Sequence, residues 1–433
     1  MWCELCRIPA CVCTANKIAL FWSCVHGILE AMSFSIDWTP MRFVHTSDLH
    51  LGRKLAQMPL EQDCKHLLQQ LKDLVEHSES QALVIAGDIY ESQNPAEAAV
   101  RMWDRFITSM AEARIPVLAV SGNHDSGARL SVGSDLIALS GIHIAGELKG
   151  ELKPVVVGDV NFWLIPFVRP TDVRSWATEQ ELDAGMVINY ETAMKLVLDT
   201  ARATEEFAAR PNVCVAHQFV TNSGITPEQS DSEHLSLGTL DNVDYRVFDG
   251  FDYVALGHIH GPQRMGRDEV RYAGSPLKLS SSEIRQNKSF VVVDIAEEDD
   301  KTQVEFELVP VKPFRDFRKE RGSVEELVAR AKREDERMRE DFIHAVVTDD
   351  DPVDVTARLR RVWPNLEQVE FDNAITRAAA EEQLPAEIDL EKNMIDLFHE
   401  FFRMQTGKSL ADDEAKLVSD AFEKVLTEGG DVA

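Results

Sequence analysis

An amide, an imidazole and a carboxylate stand in succession at Asn123-His124-Asp125, directly after Gly122 and the apolar run 115–120. Asn and Asp are ordinary turn residues, so this stretch taken alone reads equally well as a capping turn. The other reading is a ligand cluster, because ligands gather beyond the carboxyl ends of α/β strands. The pattern recurs four times. Asp48 and His50 follow the apolar run 41–47, Asp88 follows 82–86, His217 follows 212–216, and His258 and His260 follow 251–256. A single histidine is more often structural than ligating, and His26, His45, His66, His77, His143, His234, His344 and His399 are read that way. The remaining five fall at strand ends, which is a poor fit to chance.

Carboxylates, an amide oxygen and imidazoles form a mixed O/N donor set that suits Mn2+, Fe or Zn2+ better than Ca2+. Even without Asp125, the eight groups Asp48, His50, Asp88, Asn123, His124, His217, His258 and His260 are too many for one ion. They suit two ions about 3.5–4 Å apart sharing one carboxylate, the arrangement used on phosphate esters. A phosphodiester repels hydroxide; two divalent ions neutralise its oxygens and lower the pKa of bound water to about 7. The leaving oxygen then needs a proton, which an imidazole with an ordinary pKa of about 6.5 can supply.

The elements that must place these groups are legible in the pattern. Residues 41–47, 82–86 and 115–120 are apolar runs expected to form buried parallel strands. Between them, Leu60, Cys64, Leu67, Leu68, Leu71 and Val75 recur at helical spacing, as do Val100, Trp103, Phe106, Ile107 and Met110 after a helix start at Asn94-Pro95. This β-α-β-α-β order implies a parallel sheet with helices packed on it. Strand alternation predicts that Asp48 and His50 share a face, and likewise His258 and His260. Residues 155–157 and 161–166 read as a hairpin and 190–209 as a helix. Residues 272–279 and 289–295 read as the strands that complete the sheet, with a solvated boundary at 297–300.

A second unit, residues 302–374, is expected to begin with a strand at 303–311 and to alternate helix and strand through 366–371. An Ala/Glu-rich linker at 375–389 leads to residues 390–428. There Leu390, Met394, Leu397, Phe398, Phe401 and Phe402 form one apolar stripe, and Leu417, Ala421, Phe422 and Val425 another. Short helices cannot bury such stripes alone, so they either fold back or dock on a partner. Gly407-Lys408-Ser409 is no phosphate-binding loop, since Phe402 occupies the position of its first glycine.

Of 433 residues, 45 are basic and 74 acidic, a formal net charge of −29. Residues 291–433 alone carry 20 basic against 37 acidic side chains. This excludes a protein that grips nucleic acid by bulk positive charge, but not one whose local positive charge comes from metal ions and a partner. Five of seven cysteines (Cys3, Cys6, Cys11, Cys13, Cys24) lie in residues 1–40, leaving Cys64 and Cys214 with no disulfide framework. That suits a reducing cytoplasm. The apolar stretch 18–32 contains His26 and Glu30 and is too short to span a bilayer. Residues 1–40 are expected to be an extension outside the fold, with Met41 as its working start.

Asp48-x-His50, Gly87-Asp88, Gly122-Asn123-His124-Asp125, His217 and Gly257-His258-x-His260 resemble the calcineurin-like metallophosphoesterases in order and spacing. Within them, residues 41–52, 251–260 and 272–278 are similar to the SbcD-type nuclease subunits. The resemblance implies a four-layer α-β-β-α sandwich over residues 41–298, a small α+β capping domain and C-terminal helices. It implies one ion held by Asp48, His50, Asp88 and His260, and a second by Asp88, Asn123, His217 and His258, both expected to be Mn2+. It makes His124 the group at the scissile phosphate and Asp125 the residue that orients the His124 loop. It further implies exonuclease action on double-stranded DNA ends and endonuclease action on single strands and hairpins, in repair and recombination. The implied partner is an SbcC-type ATPase bound through Leu397, Phe398, Phe401, Phe402 and Phe422, with two copies of each chain in a heterotetramer. Ser281 stands where the resemblance places an aromatic residue. Two other readings stay open: a phosphoesterase acting on nucleotides or other small substrates, and a non-catalytic interaction subunit.

Overall fold

The computed structural model describes residues 40–233, 242–298, 301–350, 352–374 and 376–377, with isolated positions between 398 and 418. The 1–40 cysteines and most of the two C-terminal stripes, including Leu397, Phe401 and Phe422, lie outside the described residues. Phe398 and Phe402 are helical and half-buried.

Alternation along the strands builds the layers. In Ala82–Ala86 every residue is buried, yet Leu83 and Ile85 pack under helices while Ala82, Val84 and Ala86 face a second sheet. A strand buried on both faces needs a helix layer on one side and a sheet on the other, and both are present. The first sheet runs Lys301–Pro310, Ser289–Glu298, Met41–Thr46, Ala82–Ala86, Val117–Val120, Ile142–Ala145. Its last four strands are parallel. Helices Glu61–His77 and Glu97–Glu112 cover its outer face through Leu67, Leu71, Val75, Trp103 and Phe106.

The second sheet runs Gln263–Met265, Arg267–Tyr272, Tyr253–Gly257, Asn212–His217, Val160–Ile165, Val155–Val157. Its four central strands are parallel. Trp163, Cys214, Ala216, Val254 and Leu256 face helices Pro170–Glu179 and Tyr190–Arg202. Phe162, Val213, Val215, Tyr253 and Ala255 face the first sheet. Phe43 seals the seam edge-to-face, its ring 5.3 Å from Phe162 and 5.7 Å from Tyr253. Such pairs add about 0.5–1.5 kcal/mol beyond burial. His45 lies in the same seam, its Nδ1 3.0 Å from the Tyr253 hydroxyl. Burial and the Arg271 charge push it down to about 3, so it stays neutral, a structural histidine as expected. The arrangement is the four-layer α-β-β-α sandwich.

Three differences from the sequence reading have local causes. The helix expected from Asn94 begins at Glu97, with Ala96 preceding it in extended conformation. The helix expected over 190–209 breaks after Arg202, and Thr204 caps a new turn by accepting from the Phe207 amide. The strand assigned to the start of the second unit instead adds to the first sheet: Lys301–Pro310 pairs antiparallel with Ser289–Glu298 along its whole length. The small sheet that follows consists of Phe317–Gly322, Phe342–Val347 and Leu366–Phe371. Helices Val324–Ala331 and Val355–Arg360 cover it around Leu327, Ile343, Leu359 and Trp363. It is tied to helix Glu61–His77 by Arg315 on the buried Asp63 carboxylate and by a two-way amide pair between Gln70 and the Lys312 backbone, 2.6 and 3.0 Å.

By contacts, residues through Val347 together with Pro352–Glu370 form one unit, and Thr348–Asp351 with the residues from Phe371 form another. In the second, Asn373 accepts from the Thr376 amide and donates to the Asp349 carbonyl. No helix among the described residues is long and apolar enough to cross a membrane.

Candidate metal centre

Parallel strands of both sheets end at the same edge, and the polar residues expected there converge. Strand alternation is not what brings them together. Met41–Thr46 stops before Asp48, and Tyr253–Gly257 before His258. Asp48, His50, Asp88 and His258 all have positive φ (53°, 43°, 50° and 108°), a conformation that costs an L-residue of order 1–3 kcal/mol. The loops hold it by hydrogen bonding to each other: the Asp48 amide donates to the Gly87 carbonyl and the His50 amide to the Asp88 carbonyl, each 3.0 Å. Four such residues in one cluster, with the strain offset by main-chain pairing, fit a preorganised site.

Glycines make the approach possible. A Cβ on Gly122 would collide with the Asp88 carboxylate, and one on Gly257 with the Ala86 carbonyl and His217.

The donor atoms are aimed inward by partners on their outer sides. His217 donates Nδ1–H to the Ala86 carbonyl at 2.8 Å, which turns Nε2 towards the cluster. That Nε2 lies 3.0 Å from Asn123 Oδ1 and 3.4 Å from Asp88 Oδ2. His258 Nδ1 lies 2.8 Å from the same Asn123 oxygen. On the other side, His50 Nδ1 faces the Glu91 carboxylate at 3.0 Å, and His260 Nδ1 the Ser232 hydroxyl at 2.7 Å. Their Nε2 atoms then meet at 3.2 Å. Asp88 Oδ1 accepts from the His124 amide at 2.9 Å, while Oδ2 reaches both halves, 3.4 Å from His217 and 3.7 Å from His50. Both Asp48 oxygens accept from the His258 amide at 3.2 Å.

Lone pairs of nitrogen and carboxylate oxygen packed this closely repel unless a cation sits among them. Two of the ligand-capable groups in the structure are Asp48–His50–His260 and Asp48–Asp88–His217. Asp48, His50, Asp88, His217 and His260 are each at most 2% exposed, so water offers little relief. Protons partly substitute: burial disfavours a charged His217, but the Asp88 carboxylate outweighs it and raises the imidazole to about 9. His258, buried beside His217, is pushed the other way, to about 3. Burial opposes the charge on Asp88, yet His217, His50 and His124 still hold it well below the usual carboxylate range. These are the properties of a site for divalent metal ions.

His124 is half-buried at the rim and donates Nδ1–H to the Glu91 carbonyl at 2.9 Å. Asp125 is buried, pushed up to about 6 by desolvation and the Asp88 charge. It accepts from the amides of Ile89, Tyr90 and Gly122 at 2.9–3.0 Å, so it ties the His124 loop to the Asp88 loop. Glu91 is a supporting residue that the spacing does not reveal. Its side chain faces His50, its carbonyl accepts from His124, and Arg53 anchors its other oxygen at 2.7 Å. Glu283, Ser232 and Glu233 behind His260 are equally silent, because they lie on irregular segments with no periodicity to mark them. Ser281 opens the short turn Ser281–Glu283. A cleft of about 660 Å³ adjoins Asn123, with Phe167, Arg169 and Lys149 on its walls.

Residues 41–262 match the family described as calcineurin-like phosphoesterase, and residues 313–406 match the type 5 capsule protein repressor C-terminal domain. The chain is 29% identical over 340 residues to the SbcD component of nuclease SbcCD from Staphylococcus epidermidis, covering 77% of this chain and 87% of that protein. It is 28% identical over 397 residues to the corresponding SbcCD component from Staphylococcus saprophyticus, covering 90% of this chain and all of that one. A solved dimetal phosphatase from Danio rerio, 14% identical, aligns over 63% of this chain and all of its own with a TM-score of 0.36. The first match takes in strands of both sheets and every loop that carries a converging side chain, and by it the chain belongs to the calcineurin-like phosphoesterases.

Proposed function

We propose that the chain is the metal-dependent nuclease subunit of an SbcCD-type complex, hydrolysing DNA phosphodiester bonds during end processing in repair and recombination. Its activity is exonucleolytic on double-stranded ends and endonucleolytic on single strands and hairpins. The observation that carries this over a small-substrate phosphoesterase is the extent of the similarity: it runs past the catalytic sandwich, through the small sheet and towards the C-terminus. The convergent donor set argues against a non-catalytic subunit.

Asp48, His50, Asp88 and His260 would hold one Mn2+, and Asp88, Asn123, His217 and His258 would hold the other, with Asp88 available to both. Bound there, the pair neutralises the phosphate oxygens and makes water acidic enough to serve as nucleophile near neutral pH. His124, locked by the Glu91 carbonyl with Nδ1 protonated, presents Nε2 at the rim to the scissile phosphate and delivers a proton to the leaving sugar oxygen. Asp125 keeps that loop in register with Asp88. The small sheet and its helices, residues 317–371, cap the site and help position DNA, and the apolar stripes of 390–428 dock on an ATPase subunit in the cytoplasm. Val132, Leu136 and Leu139, each at least 72% exposed beside the His124 loop, offer the face for a second copy.

The test is Mn2+-dependent nucleotide release from linear duplex DNA, with and without the ATPase, against a generic phosphodiester dye. Release from duplex is expected, and hydrolysis of the dye alone, even with the ATPase present, sinks the assignment. Deleting residues 390–433 should leave dye hydrolysis intact while pull-down no longer recovers the ATPase. Sizing of the undeleted complex should give two copies of each chain.

A further inference from the structure

Behind His260, on the side away from the cluster, lies a buried ion pair to which nothing above gives a task. Glu283 is fully buried and Lys288 nearly so, and their charged groups meet at 2.6 Å. An ion pair removed from water this completely is seldom worth its desolvation cost as a stabilising device. The contacts show a different use. Glu283 Oε1 accepts from the Ser232 hydroxyl, which in turn lies 2.7 Å from His260 Nδ1; the same carboxylate oxygen is 3.4 Å from that nitrogen directly. Lys288 holds the carboxylate from below and donates to the His260 carbonyl at 2.9 Å, to Ser275 Oγ at 2.9 Å and to Gln286 at 2.7 Å. Glu233 completes the enclosure by accepting from the His260 amide at 2.7 Å. The imidazole, amide and carbonyl of one residue are therefore each fixed by a separate side chain, two of them buried.

We propose that Glu283, anchored by Lys288 and acting through Ser232, is a positioning residue that sets the His260 tautomer and aim, and so controls the affinity of one of the two metal positions. A hydroxyl that donates to Glu283 can only accept from His260, which places the proton on Nδ1 and the lone pair on Nε2, facing His50. The carboxylate behind the hydroxyl makes that imidazole a stronger donor. Among the described residues no such chain reaches His217, whose outer partner is the neutral Ala86 carbonyl. The two positions are thus supported differently: the one containing His260 has an anionic backing, the one containing His217 does not. The inference rests on the two-metal reading, and its test separates the two.

The experiment is Mn2+ titration of the metal-stripped full-length chain by calorimetry, with electron paramagnetic resonance on the loaded protein. Wild type is expected to bind two ions and to give a spin-coupled pair. Glu283→Gln combined with Lys288→Met removes both charges at similar volume, so no orphaned ion is left buried. This variant should lose affinity at one position by about 10–100-fold, with the other unchanged and the coupled signal replaced by that of a single ion. Ser232→Ala, which leaves the ion pair in place, should shift the same position in the same direction and serves as the decisive variant if the double one does not fold. Two ions at wild-type affinity in the folded variants overturn the proposal while leaving the two-metal reading intact. Equal weakening at both positions also overturns it, by reducing the pair to a structural role. A wild-type chain that binds no Mn2+ overturns the reading beneath it.

Discussion

Replacing Asp88 by Asn is expected to cost at least one of the two bound metal ions and to lower turnover by about a thousandfold or more. The side chain keeps its size and its Oδ1 contact with the His124 amide, so the loop pairing and the close passage of Gly122 survive. What disappears is the charge on the oxygen that lies between His217 and His50. That oxygen reaches both halves of the cluster, and an amide is a weak substitute for a shared carboxylate. Elemental analysis of the purified variant reads the result. Two equivalents of Mn2+ per chain would be incompatible with a shared Asp88.

His124→Ala should behave in the opposite way, keeping both ions and losing turnover by about 10²–10⁴-fold on DNA. Its Nδ1 is committed to the Glu91 carbonyl and it stands half-buried at the rim, where its ring packs edge-to-face on His50 at 4.9 Å between centroids. Because the role proposed for it is to protonate a departing alkoxide, the loss should shrink on a nitrophenyl diester, whose leaving group needs no proton. Metal content, DNA cleavage and dye cleavage measured on one preparation decide the matter. Equal metal loss in the Asp88 and His124 variants, or an equal rate loss on both substrates, rejects this division of labour.

How far the amino acids alone can be read depends on how each feature is encoded. Ala82–Ala86 and Val117–Val120 announce themselves because a strand covered on both faces has to be continuously apolar. The residues that follow them are conspicuous for the opposite reason, since polar groups at such ends have few structural uses. Phe317–Gly322 leaves no such trace: in Phe-Arg-Lys-Glu-Arg-Gly only Phe317 enters the core, and the others are half-buried or exposed. Lys301–Pro310 is recognisable as a strand but not as part of the first sheet, because its pairing with Ser289–Glu298 is a long-range choice that local pattern does not encode. Within the site, the ligand-capable side chains can be named but their convergence cannot be derived. The period-two rule puts Asp48 beside His50 for a reason that the positive φ angles replace. Glu91 and Glu283, which hold the imidazoles from behind, carry no spacing relative to the groups they support.

The strand Met41–Thr46 is central in its sheet, yet one of its two neighbours is Ser289–Glu298, which follows some 250 residues later in the chain. His50 likewise waits for His260, and Asp48 for His258. During synthesis, then, the first half of the chain emerges from the ribosome with its edge unpaired and its acidic and imidazole groups unmatched, and a fold dominated by such distant pairings assembles late and slowly. A nascent or truncated polypeptide ending before the second sheet has no competent centre. The enzyme is born inert, and its capacity to cut arises only when the whole sandwich has closed.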